Sequence, residues 1–392
     1  MNPTQILEHF QRRESKIVEL IREIVDIESP SRDVERNQLV ATWIFDQVSE
    51  LPLDLKIERV YADDYGEHVL IRGFTSELPG VPGGPQPDQS RRPILLLGHT
   101  DTVHPVGTNL LNPTRVEDGK FYGCGIFDMK SGIVLMLEAL RFFAESGIRP
   151  SRPITILLSC DEEVGSFTGR EIVEREAREA EACLVFEPSA AGRVKTGRKG
   201  TGMFTLKTWG KPAHAGLEPE KGASAILELA RQIEKVHLLT NVSAGTTVNV
   251  CTIRGGTTTN VIPEHAECTV DVRFTSAEEA ERVERGVRSL EPVDDRVKIQ
   301  VTGGINRPPL ERTGAVATLF EKARDLAAEF GYEIGETQVG GASDGNFVAA
   351  LGVPVLDGLG IAGDGAHRMD EHILIDDIAK RATLVTSMLL NL

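Results

Sequence analysis

The sequence predicts an α/β protein with a central, mostly parallel sheet and a second, inserted α+β domain. Three observations carry that reading. Residues 94–97, 154–158 and 182–186 are largely continuous apolar runs, the mark of strands covered on both faces of a sheet. Residues 192–304 change to a different order of strands and helices, complete within that stretch. The α/β pattern then resumes from 313 to the last helix.

The elements follow in chain order. Ile6, Leu7, Phe10, Ile17, Val18, Leu20, Ile21, Ile24 and Val25 recur at helical spacing over 4–27, and Ser29-Pro30 ends that amphipathic helix. A second helix is expected over 34–50, and strands near 54–60 and 67–73. Residues 74–93 are rich in Pro and Gly and read as a surface loop without chemistry. The apolar run 94–97 passes at once into Gly98, His99, Thr100 and Asp101. Turn signals stand at Asn112-Pro113 and Asp118-Gly119. The glycine-rich segment 123–132 opens an apolar helix reaching about Ala144, with Asp128 at its N-terminus, where a capping role alone would account for an aspartate. Strand 154–159 meets Cys160, Asp161, Glu162 and Glu163, helix 166–179 follows, and strand 182–186 ends in Glu187-Pro188. Strand 202–209, helix 220–238, strands 246–254 and 266–274, helix 276–289 and strand 296–302 then give β-α-β-β-α-β, the ferredoxin-like order. Helix 313–330, capped by Thr313 and stopped by Gly331, a strand at 353–357, a glycine-rich loop to His367 and helix 376–390 with Asp376 as cap complete the chain. The expected domain bounds are 1–191 and 305–392 for the large domain and 192–304 for the insertion.

Composition narrows the function. A chain of 392 residues exceeds what one core normally supports. Its 40% hydrophobic and 26% charged content is that of an ordinary globular protein. A net charge of −16 and a pI near 5.1 argue against nucleic acid and anionic membrane surfaces as partners. They leave an anionic small substrate open, because a local cluster of cations reverses the field inside a cleft. The five cysteines are scattered without a C-x-x-C and read as small buried hydrophobes in a reducing compartment. The N-terminal residues contain no apolar signal-peptide core and no 18-residue apolar run occurs, so a cytoplasmic protein is expected.

Ligand-binding groups in open α/β sheets collect beyond the carboxyl ends of strands. There the sequence sets His99, Asp128, Glu162 with Glu163, Glu187 and, after the last strand, His367. Three adjacent acids at one strand end repel one another unless a cation lies among them. Imidazole mixed with carboxylate is the donor set expected for zinc without cysteine. Five ligands are too many for one catalytic ion that keeps an open position, and suit two ions about 3.5–4 Å apart sharing a carboxylate. Asp101 is placed to take the second ring N–H of His99. Glu162 and Glu163, adjacent on extended backbone, would diverge, one binding metal and the other facing substrate as a general base.

The stretches L-L-G-H-T-D-T-V, Y-G-C-G-I-F-D-M-K-S-G, S-C-D-E-E-V-G-S, F-E-P-S, G-K-P-A-H-A-G and G-D-G-A-H, in order between 96 and 367, resemble the co-catalytic zinc metallopeptidase family of carboxypeptidase G, aminoacylase, acetylornithine deacetylase and succinyl-diaminopimelate desuccinylase. The resemblance implies an aminopeptidase-like catalytic domain with an inserted lid that commonly dimerises, and two Zn2+ ions, with Co2+ or Mn2+ also accepted. It implies Asp128 as bridging ligand, His99 and Glu187 on one ion, Glu163 and His367 on the other, and Asp101 orienting His99. Glu162 would activate a water shared by the ions, and the peptide after Asp128 would be cis. His214 would reach a partner subunit's site and polarise the substrate carbonyl, and Asn260 would touch substrate. Arg307, at the return to the large domain, is the candidate for the substrate's terminal carboxylate, since guanidinium forks suit carboxylates. Lys195 and Arg273 are lesser candidates, and the 340–346 loop could offer backbone N–H groups. His9, His68, His104, His237, His265 and His372 are assigned no role. The expected activity is cleavage of the amide bond to a C-terminal amino acid, glutamate foremost, on a small peptide. The alternative is amide hydrolysis of N-acyl amino acids. A binding protein that had lost catalysis should lack a ligand or the base, and all seven positions are filled.

Overall fold

The computed structural model describes residues 1–75 and 91–392, so most of the Pro/Gly-rich stretch expected as a surface loop lies outside the described residues. The chain forms two compact units. One comprises Met1–Gly197, Arg312–Val339 and Ser343–Leu392, the other Arg198–Glu311 with Gly340–Ala342.

In the larger unit a six-stranded sheet runs in the order Leu55–Ala62, Gly66–Gly73, Ile154–Ser159, Ile94–His99, Ala182–Val185, Val355–Leu356. The last four strands are mutually parallel and the first two antiparallel. Parallel pairing with matched register, Leu97 opposite Leu157 and Val185, brings three strand ends to one rim. Both faces are covered, which is why Ile94–His99 and Ile154–Ser159 are buried at every position. Helix Ser131–Ser146 is apolar nearly all round, as a helix inside a core must be, and packs against Pro3–Asp26 and Ile375–Asn391.

Capping residues set several helix starts. Asn2 and Gln5 form a reciprocal capping box, and the side chains of Asp33 and Thr313 accept from Arg36 N and Val316 N. The expected cap Asp376 is not one, and the capping role open to Asp128 is not taken up. Asp376 lies inside the first turn of Ile375–Asn391, whose N-cap is Leu374. Asp128 belongs to an irregular turn, Ile126–Lys130, before a helix that begins at Ser131 with no side-chain cap, which leaves its carboxylate free for other partners.

Some short strands escaped the sequence reading. Asp118 and Gly119, with φ of 50° and 73°, turn a tight hairpin of Arg115–Glu117 and Lys120–Tyr122. Lys120–Tyr122 pairs with His372–Leu374, which pairs with Gly363–Asp364. The loop carrying His367 is therefore the connection of a hairpin laid against the segment leading to Asp128. Val194–Arg198 pairs with Glu336–Val339 and stays with the larger unit as far as Gly197.

The smaller unit is a four-stranded antiparallel sheet in the order Thr247–Gly255, His265–Phe274, Gly200–Trp209, Lys298–Arg307, with helices Ala225–His237 and Ala277–Arg288. Numbered along the unit, the strands lie 2-3-1-4, the ferredoxin-like arrangement expected from their sequence order. Gly200–Trp209 alternates in burial, so one face feeds a core of Phe204, Leu206, Leu229, Val270, Val272, Phe274 and Val283.

Candidate metal centre

The three parallel strand ends of the larger unit deliver its chemistry to one place. His99 closes strand Ile94–His99 and is buried, with its Nε2 3.2 Å from Asp128 Oδ1 and 3.4 Å from Glu187 Oε1. On the other side of Asp128, His367 Nε2 is 3.4 Å from Asp128 Oδ2 and 3.2 Å from Glu163 Oε2. One carboxylate thus stands between two imidazoles, and each imidazole has a further carboxylate of its own. Glu162 presents an oxygen within 4.8 Å of ligand atoms of His99 and Glu187, and Glu163 presents one within 4.8 Å of ligand atoms of His99 and Asp128.

The backbone that carries the acid pair is not the one expected. Glu162 and Glu163 occupy a single 3-10 turn, Glu162–Val164, ended by Gly165 at φ 113°, and not an extended strand. Asp101 holds that turn. Its Oδ1 accepts from Glu162 N and its Oδ2 from Glu163 N, both at 3.2 Å. Asp101 also orients His99, chiefly through its main chain: His99 Nδ1 lies 2.9 Å from the carbonyl oxygen of Asp101 and 3.5 Å from its carboxylate. The shorter contact decides the tautomer, so Nδ1 carries the hydrogen and Nε2 faces Asp128 and Glu187.

Electrostatics follow from the crowding. Burial alone would lower the His99 pKa, but Asp101, Asp128 and Glu187 together hold it well above the usual range. Hydrogen bonds donated by His367 to the carboxylates of Asp128 and Glu163 raise its pKa to about 10 despite partial burial. Burial opposes ionisation of Asp128, yet His367 and His99 win and depress its pKa. Burial raises that of Glu163, against the pull of His367. Positive charge is thus what this cluster is built to hold. Glu163 Oε1 is buried with no hydrogen-bond partner, an acceptor aimed at something other than protein. The donor set of two imidazoles and carboxylates fits a pair of borderline divalent ions, with His99, Glu187 and Asp128 able to hold one and Asp128, Glu163 and His367 the other.

The Asp128–Met129 peptide bond is cis, as the resemblance implied. His367 lies at φ 64°, a left-handed conformation uncommon outside glycine.

Of the other expected site residues, His214, Asn260, Arg307 and Arg273 lie in the smaller unit, whereas Lys195 and Ser343 to Asn346 belong to the larger one. His214, exposed on Ala213–His214, pairs in register with Val261, and its Nδ1 accepts from Gly216 N at 3.2 Å and Leu217 N at 3.1 Å, so Nε2 carries the hydrogen. Asn260 is exposed nearby, its carbonyl accepting from Ala215 N at 2.9 Å. Arg307 is buried at the end of Lys298–Arg307, opposite Thr201. Arg273 is paired with Asp271 at 2.9 Å. In the 340–346 loop, Ser343 and Asp344 are buried with bonds from Ser343 Oγ to Asp357 and from Ser159 Oγ to Asp344, a structural use of their side chains. Of the cysteines, Cys124, Cys160, Cys183 and Cys268 are buried and Cys251 is exposed, all as free thiols. Sequence reasoning missed Glu371 and assigned His104 nothing. The two are hydrogen-bonded at 2.8 Å, and Glu371 also contacts the Asp128 turn. No helix among the described residues is long and apolar enough to cross a membrane.

This fold and this cluster define a hydrolase class in which paired cations work at the rim of a parallel sheet. The profile of peptidase family M20/M25/M40 matches residues 95–391, and the chain belongs to that family. It is accordingly a metal-dependent hydrolase of amide bonds. The chain is 32% identical to carboxypeptidase G2 of Pseudomonas sp. (strain RS-16) over 308 residues, 76% of this chain and 74% of the relative. It is 31% identical to succinyl-diaminopimelate desuccinylase of Delftia acidovorans over 310 residues, 73% and 78% of the two chains. Among solved structures it resembles aminopeptidase PepT of Bacillus cereus, with a TM-score of 0.74 at 23% identity over 96% of this chain and 98% of that one. It also resembles the M20 family metallo-carboxypeptidase Sso-CP2 of Sulfolobus solfataricus, with a TM-score of 0.70 at 16% identity over 95% and 98%.

Proposed function

We propose that the protein is a cytoplasmic zinc carboxypeptidase that cleaves the amide bond to a C-terminal amino acid, glutamate foremost, from a small peptide or acyl-glutamate. The observation that supports hydrolysis most directly is Asp128 set between His99 and His367, with Glu187 and Glu163 beyond them. The 32% identity to carboxypeptidase G2 supports the carboxypeptidase branch.

In this reading His99, Asp128, Glu187, Glu163 and His367 hold two Zn2+ ions, or Co2+ or Mn2+ in their place. Bound there, the pair would acidify water and polarise the scissile carbonyl. Glu162 accepts the proton of the attacking water on a carboxylate oxygen and passes it to the leaving nitrogen. Asp101 keeps Glu162 and Glu163 in their turn through their amides and fixes His99 through its carbonyl. His214 donates Nε2–H to the oxyanion of a partner subunit's substrate, Asn260 contacts the same substrate, and Arg307 pairs with the free carboxylate. A homodimer formed through the smaller unit goes with that use of His214. Its edge strand Thr247–Gly255, with Ile253 58% exposed, is an open row of backbone groups for pairing.

A second reading has a specific observation behind it: the desuccinylase relative is as similar, at 31%, so hydrolysis of an N-acyl amino acid is the alternative. Folyl-glutamate, dipeptides ending in glutamate, N-succinyl-diaminopimelate and N-acetylornithine, each assayed for amine release, separate the two. Preferred turnover of the glutamyl substrates is expected. Turnover of the N-acyl amino acids alone refutes the carboxypeptidase assignment.

A further inference from the structure

Glu371 is fully buried, and its carboxylate is filled to capacity by donors from two other segments of the larger unit. Oε1 accepts from Phe127 N at 2.8 Å and Asp128 N at 2.9 Å. Oε2 accepts from Gly125 N at 2.8 Å and His104 Nε2 at 2.8 Å. The main chain repeats the attachment, because Gly123 N donates to the Glu371 carbonyl at 3.2 Å. Four N–H donors use all four acceptor positions of a carboxylate, so Glu371 has none left for an ion or a substrate.

What those donors belong to gives the residue its meaning. Gly125, Phe127 and Asp128 form the turn that presents the Asp128 carboxylate. Glu371 itself follows His367 by four residues in a tight stretch, closed by Arg368 N to Gly365 O at 2.8 Å and Glu371 N to Arg368 O at 3.3 Å. His104 lies just after His99 and Asp101 in the chain. A ring of contacts therefore closes: Glu371 grips the backbone of Asp128, while His367, on the same hairpin connection as Glu371, meets the carboxylate of Asp128 at 3.4 Å. We propose that Glu371 is a positioning residue that sets Asp128 and His367 against each other, and that His104 extends its hold to the segment carrying His99. The inference rests on the metal-centre reading given under Proposed function.

Glu371→Gln tests it with little change in volume. Each carboxylate oxygen now accepts two N–H donors, so whichever way the carboxamide turns, its NH2 faces two donors at once. The metal-stripped full chain is titrated with Co2+, following the visible d–d absorption, and thermal unfolding of the metal-free protein is recorded beside it. Wild type is expected to take up two equivalents. Glu371→Gln should bind the second at least tenfold more weakly, with an altered spectrum, as loss of a partner behind the ligands does. Two equivalents bound with wild-type affinity and spectrum overturn the proposal. If Glu371→Gln yields no folded protein, His104 decides the matter. His104→Ala should weaken Co2+ binding several-fold and His104→Gln, which keeps an N–H for Oε2, should restore it, with metal-free unfolding unchanged in both. Wild-type binding in His104→Ala overturns the proposal in that case. A wild-type chain that takes up no Co2+ refutes the metal centre and this inference together, whereas a wild-type result in the variants refutes positioning alone.

Discussion

Asp101→Asn separates two jobs that one residue performs. The carbonyl that accepts from His99 Nδ1 at 2.9 Å belongs to the main chain and survives any side chain at this position. The carboxylate, by contrast, makes two separate bonds at 3.2 Å, one oxygen to Glu162 N and one to Glu163 N. An asparagine keeps a single acceptor, so one amide loses its partner and meets an NH2 instead. A hydrogen bond to a charged group contributes about 1.5–3 kcal/mol, and about 1.36 kcal/mol is a decade in rate. If the loss falls on the transition state, kcat should drop by roughly ten- to hundred-fold, since the turn displaced carries the proposed base. The assay is steady-state hydrolysis of folyl-glutamate with Co2+ in saturating excess, paired with Co2+ titration of the stripped protein. The reasoning is refuted if kcat is unchanged at saturating metal while the first equivalent of Co2+ binds more weakly, for then the carboxylate serves His99 and not the turn.

The other expectations concern the base, the substrate and the ions. Glu162→Gln should retain two equivalents of metal yet lose about 10²–10⁴-fold in kcat, measured by metal analysis and initial rates on one preparation; surviving activity assigns the base elsewhere. Arg307→Ala should raise KM about ten- to hundred-fold for substrates with a free terminal carboxylate, the loss of one charge-assisted pair, and leave carboxyl-blocked analogues unaffected; an equal loss on both removes Arg307 from carboxylate recognition. Chelation should abolish turnover reversibly and lower stability by about 4 kcal/mol for each ion previously present at a thousand times its Kd, seen as a fall in Tm that returns on adding Zn2+; full activity after verified stripping contradicts the metal centre.

Much of the architecture was legible because burial leaves a plain mark on sequence. Strands Ile94–His99, Ile154–Ser159 and Ala182–Val185 are covered on both faces, so they read as apolar runs, and their polar ends stand out by contrast. The smaller unit was readable in order because its two inner strands, Gly200–Trp209 and His265–Phe274, alternate in burial and its helices are amphipathic. Where strands are two or three residues long, as in Lys120–Tyr122 and His372–Leu374, no periodicity can develop and only the Asp118-Gly119 turn signals them. Asp128 could pass for a helix cap because an aspartate before a helix carries no mark of which way its carboxylate faces. Glu371 was invisible for a similar reason. Its partners are backbone amides far away in the chain, and amides have no residue type.

The left-handed backbone at His367 has a consequence for how this site can change. At φ 64° a β-branched side chain is strongly disfavoured, whereas asparagine and aspartate enter that conformation with ease. The position can therefore trade its imidazole for an oxygen donor without rebuilding the hairpin connection, and a shift of ion preference towards harder cations can start there.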